Sequence, residues 1–307
     1  MNQSAASSAG ANAPSPRAKS ARSRRVAPLH VEVLRAGQDE RTPLVLLHGF
    51  TGDSSTWRDV AAILGRERRV LAVDLPGHGR SGLAGAESVA AAAEAVNAAV
   101  AKDGAATDTE RYHLAGYSMG GRIALRLALD HPERVRSLTL ISTSAGIREA
   151  SQRSGRVAAD ERLAVRIETE PLSVFVDEWM AQPLFATLSR LDPARLAAAR
   201  AQRLQCSPQG LAAALRGLGA GAMAPMWREL GALDLPVLVV AGELDKKYAA
   251  LACEMSEAIT GAQLALIGSA GHAVGAEAPK ALALRIDAFL ASVEADAAGD
   301  GRGAAIR

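Results

Sequence analysis

The chain is poor in aromatic residues: three Trp, three Tyr and four Phe make up 3% of its 307 residues. With 49% hydrophobic residues in all, the core must be built from Leu, Ala, Val and Ile, enough for one large α/β domain with an insertion or for two small domains. Long apolar runs are missing. None approaches the ~18 residues of a membrane-spanning helix, which argues against a membrane partner. Only two cysteines occur, Cys206 and Cys253, without metal or redox spacing, so they read as buried thiols in a reducing compartment rather than a disulfide framework. Excess charge is also missing. A formal charge of +2 argues against nucleic acid as the main partner. With no metal cluster and no nucleotide loop, neither a metal nor a cofactor is expected. These absences together suggest a soluble cytoplasmic protein, monomer or homo-oligomer left open.

Acidic residues are lacking from the first 25 positions, where Ser, Ala, Pro and Arg dominate. That bias reads as a disordered tail over 1–26, although an organelle transit peptide has the same composition. The end, "EADAAGDGRGAAIR" (294–307), reads as a second loose tail. Between the two, short β-branched runs alternate with helical periodicity, the pattern of a mostly parallel sheet covered by helices. The strand candidates are "HVEVL" (30–34), "LVLLH" (44–48), "VLAVD" (70–74), "YHLAGY" (112–117), "SLTLIS" (137–142), "VLVVAGE" (237–243) and "QLALIG" (263–268). The alternation stops after Ser142. A stretch rich in Arg, Glu and Ala with helical spacing follows, and strands resume at "LPVLVV". We therefore expect an α/β core over 27–145 and 232–293, with a helical lid over 146–231 at the carboxyl edge of the sheet, where open α/β sheets bind ligands.

"GYSMG" (116–120) places a serine between glycines, after a strand and before a helix. The glycines allow a tight turn that holds Ser118 Oγ over the sheet edge, beside the helix N-terminus and the backbone N–H of Met119. An unassisted hydroxyl is a poor nucleophile and a poor base, so it needs a histidine, and that histidine an acid. Only His131 and His272 follow Ser118. His131 ends the helix that begins at the serine and points away, which leaves His272, in the Gly-rich "GSAGHAV". "GELD" supplies the acid: Asp245 lies past the strand end and is preferred to Glu243. In "HGFTG" (48–52) the N–H of Phe50 is the candidate second oxyanion donor. His48, Asp74 and His78 read as structural. Arg122 stands one helical turn after Ser118, on the same face. A guanidinium there is out of place for apolar esters but suits an anion.

"LLHGFTG", "VDLPGHGRS", "GYSMGG", "GELD" and "AGH", in this order, resemble the α/β-hydrolase superfamily, which implies that fold but leaves the reaction open. "GYSMGGR", "R…D…LA" (156–164), "FVDEW" (175–179), "QPLF" (182–185), "LRGLGAG…MWREL" (215–230) and "GELDKKY" (242–248) are similar, more narrowly, to the 2-succinyl-6-hydroxy-2,4-cyclohexadiene-1-carboxylate synthase family of menaquinone biosynthesis. This resemblance implies a lyase that eliminates pyruvate from a tricarboxylate, the serine acting as base without an acyl-enzyme. It also implies substrate contacts at Tyr117, Arg122, Arg156, Trp179, Phe185 and Arg200, and a small-molecule polycarboxylate as partner. Two departures are local: no second His follows His272 in "HAVGAEAPK", and "SAGIREA" lacks a Pro before its Gly. A carboxylesterase or C–C hydrolase of the same fold, and a binding module that kept the fold, are the competing readings.

Overall fold

In the computed structural model, residues 29–37, 41–65, 67–102 and 111–303 are described; the expected N-terminal tail lies outside the described residues. Seven strands form one sheet: β1 (Val31–Arg35), β2 (Leu44–Leu47), β3 (Val70–Val73), β4 (Tyr112–Tyr117), β5 (Val135–Ile141), β6 (Val237–Gly242) and β7 (Gln263–Ile267). Their order is β1-β3-β2-β4-β5-β6-β7, parallel throughout except for β1, which pairs antiparallel with β3. Each strand lies within two residues of its sequence expectation.

The helices are α1 (Arg58–Ile63), α2 (Val89–Lys102), α3 (Met119–Asp130), α4 (Ala150–Thr169), α5 (Leu172–Met180), α6 (Pro193–Arg203), α7 (Pro208–Leu218), α8 (Lys246–Ala258), α9 (Val274–Glu277) and α10 (Pro279–Gly303). Alternation along the strands explains the layering. Leu44 and Leu46 of β2 face Trp57, Leu282, Ile286 and Phe289 from the α1/α10 side, while Val45 and Leu47 face Val96, Ile123 and Leu127 of α2 and α3. Both faces being covered, β2 and β3 are apolar at every position.

One expectation needs correction. The chain does not turn loose at 294: α10 continues through Gly303. "EADAA" is made of strong helix formers, and polarity was mistaken for disorder. Glu294 also has partners on the core, Arg68 at 2.8 Å and Arg41 at 3.6 Å.

Between β5 and β6 the described residues contain no strand. Helices α4 to α7, with a 3-10 stretch at Pro183–Arg190, lie over the carboxyl ends of the strands. Their own apolar cluster is small, built around Ile167, Phe175, Val176 and Leu211, and Phe185 and Leu188 form another against Ala273 of the core. Much of the remaining surface is ion-paired, for instance Arg216 with Glu161 and Glu168.

Candidate active site

The turn from β4 into α3 is backbone-limited. Ser118 sits at φ 52°, ψ −110°, in left-handed φ territory that a non-glycine residue enters only under constraint. A Cβ on Gly116 would lie 2.4 Å from the Gly120 carbonyl oxygen, and one on Gly120 would lie 2.4 Å from that of His48. No other residue type fits either place. The turn is tied down by Ser118 N–H donating to Ile141 O (2.9 Å) and by the Thr143 hydroxyl donating to Ser118 O (2.7 Å).

His272 Nε2 lies 3.2 Å from Ser118 Oγ, and its Nδ1 lies 2.7 Å from Asp245 Oδ2. The carboxylate sets the tautomer: with Nδ1–H donating to Asp245, Nε2 is free to accept from the serine. Asp245 is the N-cap of α8, its other oxygen accepting from Tyr248 N–H at 3.2 Å. Glu243, also weighed as the acid, is exposed at the strand end. His272 is 1% exposed, and its ring is enclosed by Tyr248, Tyr117 and Phe185, with centroids at 4.5, 5.5 and 5.7 Å. Lid and histidine loop meet where a Cβ on Gly271 would lie 2.0 Å from Thr187 Oγ1.

Phe50 and Met119 line the cleft beside Ser118. Met119 is the first residue of α3, so its N–H belongs to the donors a helix leaves unpaired at its start. The Phe50 loop is pinned by two buried imidazoles. His48 accepts from Leu75 N–H at 2.9 Å, leaving its other nitrogen to donate to Gly49 O. His78 accepts from Thr51 N–H at 3.3 Å. Burial holds both rings neutral, His78 down at about 3 with the neighbouring His48 adding to the effect. Asp74 accepts from the N–H groups of Ser54 and Arg80. His131 faces Glu94 at 2.7 Å, away from the cleft.

The cleft has a volume of about 760 Å³, and Ser118, His272, Tyr117, Arg122, Arg156, Trp179 and Phe185 all line it. Arg122 is 7% exposed. One Nη donates to Leu218 O at 2.9 Å, while its buried Nε has no partner among the described residues. Burial pulls its pKa below the usual guanidinium value, the cost of holding a cation there without a bound anion. Arg156 donates through Nε to Asp160 at 2.8 Å, and burial raises the Asp160 pKa in spite of that partner. Trp179 packs edge-on to Phe50 (5.2 Å) and tilted against Phe185 (5.6 Å).

Arg200 is not in the cleft. It is exposed and forms a two-point pair with Asp177 at 2.6 and 2.9 Å, on the rim of a separate outer depression of about 600 Å³. Arg203, at the end of α6, is half-buried, and one Nη donates to Ala199 O at 2.7 Å. Its Nε is buried without a partner among the described residues, and burial lowers its pKa below the usual guanidinium value. No residue of α6 is buried, and its composition is mostly Ala and Arg, so no apolar stripe marks the inner face. Sequence reading also missed Tyr248, although "GELDKKY" carries it to the cleft. Among the described residues no group of three or more His, Cys, Asp or Glu could hold a metal ion, and no helix is long and apolar enough to cross a membrane.

Comparison with known proteins agrees with this arrangement. The alpha/beta hydrolase fold family matches residues 42–279. A putative 2-succinyl-6-hydroxy-2,4-cyclohexadiene-1-carboxylate synthase of Bacillus subtilis (strain 168) is 31% identical over 84% of this chain and 93% of its own length. The synthase of that name from Enterobacter sp. (strain 638) is 34% identical over 81% and 92%. Among solved structures, MenH from S. aureus superposes with a TM-score of 0.80 at 30% identity, covering 87% of this chain and 99% of that one. A malate-bound thermophilic esterase from Thermogutta terrifontis gives 0.75 at 27% identity, over 86% and 93%. The chain belongs to the α/β-hydrolase fold family and, within it, to the 2-succinyl-6-hydroxy-2,4-cyclohexadiene-1-carboxylate synthases.

Proposed function

We propose that this enzyme eliminates pyruvate from 2-succinyl-5-enolpyruvyl-6-hydroxy-3-cyclohexene-1-carboxylate to give 2-succinyl-6-hydroxy-2,4-cyclohexadiene-1-carboxylate, in menaquinone biosynthesis. The reacting C–H bond lies next to the succinyl ketone. His272 takes the Ser118 proton while Asp245 balances the imidazolium, and the serine oxygen removes the ring proton. The electron pair passes through the enolate, whose oxygen is held by the N–H groups of Phe50 and Met119. As it returns, the ring double bond shifts by one position, the C–O bond to the enolpyruvyl group breaks, and pyruvate departs as its enolate, to be protonated. No acyl-enzyme forms.

One observation carries this reading. The relay opens onto a cleft in which the group one helical turn from the serine is a buried guanidinium without a carboxylate partner among the described residues. Arg122 holds one carboxylate close to the reacting carbon, and Arg156 holds a second. Trp179 and Phe185 exclude water above the ring. The test is pyruvate release from substrate generated in situ from isochorismate and 2-oxoglutarate, read by coupled NADH oxidation. Wild-type protein should release it far faster than Ser118→Ala, and equal rates would defeat the proposal.

The same relay would serve an ester hydrolase, and an esterase is among the structural relatives. That reading requires a covalent acyl-serine, detectable by intact-mass spectrometry. It also requires turnover of simple aryl esters that is indifferent to Arg122→Leu.

A further inference from the structure

The reaction just described gives no task to one side chain of the cleft. Tyr248 lines the cavity, its ring centroid 4.5 Å from that of His272, and its hydroxyl has no protein partner among the described residues. Its placement parallels that of Arg122. Ser118 stands at the start of α3 and Arg122 one turn further in; Asp245 caps α8 and Tyr248 stands one turn further in, its N–H bonded to Asp245. Both side chains are thus referenced to a relay residue through a single helical turn. Arg122 and Tyr248 line the same cleft.

Arg122 meets an anion with fewer than its five donors: one Nη spends an N–H on the Leu218 carbonyl and Nε is buried, and a carboxylate held there, with about four lone-pair sites, has room for a further donor. That donor should be neutral. A further cation beside His272 would depress the imidazole pKa and weaken it as the base, whereas a phenol hydroxyl donates without adding charge.

We propose that Tyr248 contacts the substrate, its hydroxyl and the Arg122 guanidinium together clamping one carboxylate at a fixed distance from Ser118 and His272. The clamp rests on the pyruvate-eliminating reading, and it adds a specificity-determining residue to that site.

The experiment compares wild type, Tyr248→Phe, Arg122→Gln and the double variant of the full-length protein. Pyruvate release is measured together with calorimetric binding of 2-succinylbenzoate, the aromatic counterpart of the expected product. Tyr248→Phe keeps the ring on His272, so its Tm should stay within about 2 °C of wild type. The variant should raise KM about 10- to 100-fold, as for a lost hydrogen bond to a charged group, with kcat within about threefold and the analogue's Kd following KM. In the double variant the tyrosine change should add almost nothing to the loss from Arg122→Gln. An unchanged KM in Tyr248→Phe overturns the clamp, as does its full factor adding on top of Arg122→Gln. A fall in kcat with KM unchanged overturns it too, because the tyrosine then acts only through His272. If wild type itself releases no pyruvate, the functional reading falls and takes the clamp with it; if wild type is active, these outcomes concern the clamp alone.

Discussion

Helices α3 and α6 both present arginines near the cleft, and they differ in how their arginines are sorted. In α3, "MGGRIALRLALD", a continuous apolar stripe leaves little freedom. Arg122 is carried under the cleft on the serine's face, while Arg126 turns outward to Asp130 and Glu229. In α6, "PARLAAARAQR", nothing apolar dominates either face, and the three arginines are sorted by what surrounds them. Arg195 meets Asp59, Arg200 meets Asp177, and Arg203, half-buried with no carboxylate partner among the described residues, turns one Nη back to Ala199 O. A helix seated on the sheet has its rotation set by its own hydrophobic pattern. A helix of the lid has it set by neighbours distant in sequence.

That contrast can be broken experimentally. The largest effect should come from the elbow itself: Ser118→Ala should lower pyruvate release by about a thousandfold or more while Tm barely moves, since the side chain is small and the turn keeps its backbone contacts. Arg122→Ala comes next. Losing one partner of a buried ionic contact costs about 2–5 kcal/mol, or roughly 30- to 5,000-fold in kcat/KM. Both kcat and KM should suffer, because the anchor lies close to the reacting centre. A variant that changed KM alone would place the arginine's contact away from the chemistry.

In α6 the matched pair Arg203→Gln and Arg200→Gln tests the sorting directly. The first should raise KM about tenfold, because Arg203 is the α6 arginine with an unpartnered Nε and no carboxylate partner among the described residues. The second should leave KM within about twofold, as an exposed ion pair contributes little. A larger effect at Arg200 than at Arg203 would reverse the assignment of inner and outer faces.

The smallest effect concerns the far end of the molecule. Burial acts to raise the Glu294 pKa, but the His113 imidazole at 3.6 Å and Arg68 at 2.8 Å outweigh it and hold the carboxyl at about 2, against 4.5 ordinarily. Because the folded-state value is the lower one, the stabilisation is complete above about pH 4.5 and fades as pH falls toward 2. Thermal melts between pH 5 and pH 2 should therefore fall more steeply for wild type than for Glu294→Gln. Parallel curves would mean that α10 is not fastened to the core there.

How far the site could be read from sequence follows the same division. Ser118, His272 and Asp245 were legible because each is reached by a strand end and a short loop, and a parallel sheet brings its carboxyl ends together along one edge. Tyr248 carries no such signal, because Lys246 and Lys247 before it read as a solvated pair on a loop. Arg200 follows from motif resemblance alone, and Arg203, three residues on and only about 60° around the helix, differs from it through the neighbours that the fold brings to it.

Strand positions, the sharp serine turn and the chemistry available at its tip were written into the chain locally, because glycines, β-branched runs and helix starts act over a few residues. Whether a lid guanidinium lines the cavity, as Arg156 does, or an outer depression, as Arg200 does, was decided by packing. Those side chains stand on helices whose rotation depends on contacts between segments a hundred residues apart, and no local pattern encodes such contacts.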